Sequence, residues 1–68
     1  MNLGENIKKN RKKQGLTQLE LAELVGVSGP MINQIENSVK MPTVPLCNLI
    51  AKELHVSLDE LVNGVNGD

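Results

Sequence analysis

Apolar residues recur in this chain at helical spacing between short polar punctuation marks, and the pattern predicts five short helices. Leu3, Ile7 and Arg11 fall on one side of a first segment, opened by Asn2 with Glu5 three residues later and ended at Gly15, where a left-handed cap is usual. Thr17 and Glu20 form the T-x-x-E of a capping box ahead of QLELAELV, which stops at Gly26. Ser28 caps a third helix running through Asn37, with Ile32 and Ile35 facing inward. Beyond the loop KMPT, Thr43 opens a fourth helix whose inward stripe is Val44, Cys47, Ile50, Ala51 and Leu54, with Leu46 and Leu49 lying off it. Ser57 and Glu60 make a second capping box and start a short fifth helix carrying Leu58, Leu61 and Val62. Residues 64–68 read as a frayed tail. With no internal repeat and no linker, the pattern predicts one domain over residues 1–68, ordered over about residues 3–63.

Composition narrows the fold class. A chain of 68 residues has room for one small core, burying only about 60% of its unfolded surface. Phe, Tyr and Trp are absent, so that core must come from Leu, Ile, Val, Ala and Met, which suits close-packed short helices better than a sheet. The expectation is an all-α domain. No segment approaches the roughly 18 consecutive apolar residues needed to cross a membrane, and residues 1–20 are polar and lysine-rich rather than signal-like. A cytoplasmic location is expected. The single Cys47 cannot form an internal disulfide and reads as a small buried hydrophobe. Cys47 and His55 are too few to build a metal site. No nucleophile stands beside a base, so neither an enzyme nor a cofactor is expected.

Net charge is −1 and the pI about 5.7, yet the charges are segregated. Five of the seven basic residues, Lys8, Lys9, Arg11, Lys12 and Lys13, lie within six positions, whereas residues 53–68 carry Glu53, Asp59, Glu60 and Asp68 with no Lys or Arg. A basic run of this kind is equally a solvated helix face or an electrostatic footprint for an anionic partner.

The join between the second and third helices separates these readings. Gly26 supplies the unusual backbone angle, Val27 plugs the core and Ser28 starts the next helix, a connection that makes the helices cross steeply. Ala22, Ile32 and Ile35 are small or apolar where tightly crossed helices require it. This pattern resembles the helix-turn-helix of the phage repressor and Cro type, the XRE family. IKKNRKKQGLTQLELAELVGVS, INQIEN, Pro42, IAKEL and VSLDELV follow the family's order and spacing over about residues 3–63.

The resemblance implies a compact five-helix, lambda-repressor-like domain that binds double-stranded DNA, the third helix entering the major groove. It implies phosphate contacts from Gln18 and Thr17 at the start of helix two, from Ser28, and from Asn37 and Lys40 past helix three. Base reading falls to Gln34 and Asn33, whose amides match the N6 and N7 edge of adenine. Gly29 and Pro30 stand where the family often places polar base-reading side chains. Pro30 is tolerated in the first helical turn. With Met31 it can offer only apolar contact, and Gly29 a close backbone approach. Arg11 and Glu36 match a family pair that forms a buried structural ion pair, which removes Arg11 from the DNA-facing charges.

Departures from the family pattern matter too. Ser38 replaces the usual Gly after helix three, so Asn37 or Ser38 must take the left-handed conformation, Asn37 the more easily. Leu19, Leu24, Leu46 and Leu49 suggest a partner surface. Family members of this length pair through helix five, which nominates Leu58, Leu61, Val62 and Val65, Leu61 being partly committed to the core, for a homodimer on a near-palindromic operator with half-sites about 34–36 Å apart. No small-molecule effector pocket is legible. The resemblance therefore implies a small transcription regulator of repressor or controller type. The alternative is a protein-interaction module of the same fold, antitoxin-like or antirepressor-bound, favoured by the exposed leucines and acidic net charge.

Overall fold

The computed structural model describes residues 2–64. Five helices follow one another: α1 (Leu3–Lys13), α2 (Gln18–Val25), α3 (Gly29–Glu36), α4 (Val44–Glu53) and α5 (Leu58–Asn63). Val65, and the tail beyond it, lie outside the described residues. The architecture is all-α.

Each start is built by a side chain accepting from an otherwise orphaned backbone N–H. Asn2 accepts from the Glu5 amide, Ser28 from Met31 and Thr43 from Leu46. Thr17–Glu20 and Ser57–Glu60 close reciprocal capping boxes, with all four bonds between 2.8 and 3.0 Å. Pro30 and Pro45 both fall in a first turn, where a missing N–H costs no intrahelical bond. Gly26 ends α2 at φ 78°, the left-handed conformation that lets the chain turn sharply into α3.

Ile7, Leu21, Ala22, Val25, Ile32, Ile35, Ile50, Ala51, Leu54 and Leu61 form one core, with Cys47 also buried. The main helix contacts are α1 with α3 and α5, α2 with α3 and α4, and α4 with α5. Polar groups enter this core only with partners. Asn6 donates to the Leu61 carbonyl at 2.9 Å, which ties α1 to α5, and Asn10 donates within α1 to the Asn6 carbonyl at 2.8 Å. Gly4 lets α1 lie directly on the end of α3: a Cβ there would sit 2.5 Å from the Glu36 carbonyl oxygen.

Three expectations need correction. Val44 falls on the apolar stripe by spacing but is 67% exposed, because as the first residue of α4 it projects beyond the packed turns. Leu46, read as off the stripe, is partly buried against the core, since Ile50, four residues on, lies on the same side of the helix and is fully buried. After α3 it is Ser38, at φ 63°, that turns left-handed. Asn37 stays right-handed with its side chain donating back to the Asn33 carbonyl at 3.0 Å, a bond that spends its amide on the helix end. His55, at φ 60°, plays the same terminating role after α4.

Candidate nucleic-acid interface

α3 divides into two faces. Ile32, Ile35 and Glu36 are buried, while Pro30, Asn33, Gln34 and Asn37 are exposed. Met31 is half-buried and packs on the core, so its apolar surface is only partly available. The position a side chain would occupy at Gly29 looks towards Leu19 of α2, at 3.6 Å. Gly29 and Pro30 thus leave the first turn of α3 without polar side chains, and the donors and acceptors of this face begin at Asn33.

Under that face runs a charge-anchored network. The Arg11 guanidinium donates from Nε to Glu36 Oε2 at 2.6 Å, from Nη2 to Glu36 Oε1 at 3.1 Å, and from Nη1 to the Leu16 carbonyl at 2.7 Å. Arg11 and Glu36 side chains are 8% and 1% exposed, so this fork holds α1, the α1–α2 turn and α3 together out of water. Arg11 is therefore inside the fold, whereas its neighbours Lys8, Lys12 and Lys13 are exposed.

Gln18, at the first position of α2, is half-buried. Its Nε2 donates to Glu36 Oε1 at 3.0 Å, and its Oε1 accepts from Asn33 Nδ2 at 3.3 Å. Asn37 Nδ2 in turn lies 3.3 Å from Asn33 Oδ1. Spacing along the chain carries no signal for this cross-helix series; only the packed geometry shows it. The Gln34 amide, by contrast, makes no hydrogen bond among the described residues and is free for a ligand. Thr17 and Ser28 use their hydroxyl oxygens as cap acceptors, which leaves each O–H free to donate. Lys40 is exposed just past α3, in the loop folded by the Val39 and Lys40 amides onto the Gln34 carbonyl. The contacts gather the amides of Gln18, Asn33 and Asn37 across the start of α2 and the exposed side of α3, neutral donors of the kind that can meet phosphates and base edges.

The pairing candidates fare unequally. Val62 is 45% exposed and Leu58 half-buried, but Leu61 is 0% exposed. Leu61 is spent on the domain's own core and offers no surface, because α5 is so short that its central residue must close the bundle. Leu19, Leu24 and Leu49 are exposed, at 58%, 52% and 46%. Burial also pushes the Cys47 thiol above its ordinary pKa, away from reactivity. Among the described residues no helix is long and apolar enough to cross a membrane, and no group of acidic, histidine or cysteine side chains could hold a metal ion.

Known proteins share both sequence and shape with this chain. The family described as helix-turn-helix matches residues 7–61. The P22 c2 repressor, solved in complex with a synthetic operator, superposes at a TM-score of 0.89 with 36% identity, over 94% of this chain and 97% of that one. SinR, solved in complex with DNA, gives 0.81 with 32% identity, over 87% and 95%. The antitoxin PezA of Streptococcus pneumoniae is 37% identical over 60 residues, 88% of this chain and 38% of PezA. The chain spans about two fifths of the length of the first curated relatives it matches. The buried Arg11–Glu36 fork, the Gly26 turn and the exposed face of α3 thus sit on a scaffold shared with the P22 c2 repressor and SinR, both solved on DNA. By family match and fold, this chain belongs to the phage repressor and Cro-type (XRE) helix-turn-helix family of DNA-binding transcriptional regulators.

Proposed function

We propose that the chain is a sequence-specific double-stranded-DNA-binding regulator of repressor or controller type, placing α3 in the major groove and pairing as a homodimer on a near-palindromic operator. The observation that carries this reading is the exposed, unoccupied amide of Gln34 on the face of α3 opposite Ile32 and Ile35. An amide so placed can bond both N6 and N7 of adenine. Gln18, Thr17, Ser28, Asn37 and Lys40 supply the phosphate contacts on either side, and these position the domain without reading sequence. Gly29, Pro30 and Met31 leave the first turn to apolar contact and to DNA shape. Pairing draws on the half-buried Leu58 and the exposed Val62 of α5. In this reading the chain acts in the cytoplasm, and no effector is needed if its concentration is the signal.

A second reading has one specific support: PezA, an antitoxin, matches 88% of this chain. In that reading the domain chiefly holds a protein partner. Binding to DNA selected from a random library, titrated with salt, separates the two. The regulator reading expects affinity to fall with a log–log slope near −0.9 per phosphate neutralised. No selected sequence at low salt and micromolar protein would favour the partner-binding module.

A further inference from the structure

The amides of Gln18, Asn33 and Asn37 are oriented in a fixed sense, and the group that fixes it is buried. A carboxylate ionised beside an arginine can only accept hydrogen bonds. Glu36 Oε1 therefore requires the Nε2 end of Gln18, not its oxygen, at 3.0 Å. The Gln18 oxygen is then turned outward and requires a donor, which Asn33 Nδ2 supplies at 3.3 Å. The Asn33 oxygen is left to accept, and Asn37 Nδ2 stands 3.3 Å away. Polarity thus runs one way, Asn37 to Asn33 to Gln18 to Glu36, from an exposed helix end to a side chain 1% exposed. Reversing Gln18 or Asn33 would set oxygen against oxygen on the side towards Glu36 and nitrogen against nitrogen on the other.

The first turn of α3 cannot do this work. Gly29 has no side chain, its open position faces Leu19, and Pro30 has no donor. Asn33, one turn further on, supplies a second side-chain hydrogen bond from α3 to the first residue of α2, beside the one that Glu36 accepts.

We propose that Asn33 is a positioning residue for the backbone contact of Gln18, its amide oriented through Gln18 by Glu36, and that base discrimination on α3 rests on Gln34. This deepens the DNA-binding reading and rests on it. Asn33 has one N–H and one oxygen lone pair already committed within the protein, whereas Gln34 has none committed. Holding Gln18 by both ends leaves its second Nε2 hydrogen as the donor for phosphate and removes the rotamer freedom it would otherwise lose on binding.

The experiment uses the full chain with a DNA duplex selected from a random library, together with every single-base variant of that duplex. Affinities are measured for the wild type, Gln18→Ala, Asn33→Ala and the double variant, with melting temperatures as the folding control. Asn33→Ala is expected to weaken all duplexes alike by about 2- to 10-fold, the net contribution of one hydrogen bond, and the double variant to bind no more weakly than Gln18→Ala alone. In the DNA-free protein, the NMR signals of the Gln18 side-chain amide should lose their dispersion on Asn33→Ala while the core methyl signals keep theirs. Multiplying single-variant effects, or loss of discrimination at one base position on Asn33→Ala, would overturn the positioning role while leaving DNA binding intact. A wild type that selects no duplex would overturn both.

Discussion

Arg11 shows how position overrules charge. It lies in a run of lysines, and composition alone would send it to DNA, yet its guanidinium is buried against Glu36 and the Leu16 carbonyl. Removing either partner leaves a buried charge unpaired, so Arg11→Ala and Glu36→Ala should each cost about 3–5 kcal/mol in chemical denaturation. Unchanged melting would contradict the assignment. The family resemblance made this pair legible, because the two residues are 25 apart and no local pattern joins them. Gly4 was not legible: inside a helix a glycine reads only as a weak propensity. Here it allows α1 to touch the carbonyls of Ile35 and Glu36. Gly4→Ala should destabilise by about 1–3 kcal/mol through overpacking, despite alanine's better helix propensity. Cys47 carries a pH dependence. Its thiol is raised in the folded state, so the folded form keeps its proton where the unfolded form loses it. Stability should fall as pH rises above about 8.5, and the decline should be shallower in Cys47→Ala in paired denaturant titrations.

At the scale of elements, starts were easier to read than stops. Asn2, Thr17, Ser28, Thr43 and Ser57 each cap the helix that follows, since a cap acts within three residues and leaves its signature in the local sequence. Stops without glycine were harder. Ser38 and His55 both adopt the left-handed conformation at a cost that tertiary packing overrides. Ser38→Gly and His55→Gly should therefore each raise stability by about 1 kcal/mol, read as a higher denaturation midpoint with unchanged slope. The same tertiary control explains the misread stripe of α4. Periodicity gives a helix its faces but not how far the core reaches around it, and Leu46 packs on the core while Val44 stays in solvent.

On the scale of the whole molecule, five helices within 29 × 23 × 19 Å leave one polar face of α3 open and a scatter of apolar residues elsewhere. The fold was legible because every join is short and the core positions recur at helical spacing. Which amides are free and which are committed was not, because Gln18, Asn33 and Glu36 meet only across packed helices. Pairing belongs to this scale too: the proposed homodimer should give twice the monomer mass in light scattering at micromolar protein, and Val62→Glu should return it to the monomer without lowering the melting temperature.

The central claim is that the free amide of Gln34 reads a base. The direct test is to repeat the random-library selection with Gln34→Ala beside the wild type. The expected result is a consensus that keeps its spacing and symmetry but loses preference at one position of each half-site, at a cost of about 1–3 kcal/mol on the original sequence. A Gln34→Ala protein that selects the same consensus as the wild type, with undiminished preference at every position, would contradict it.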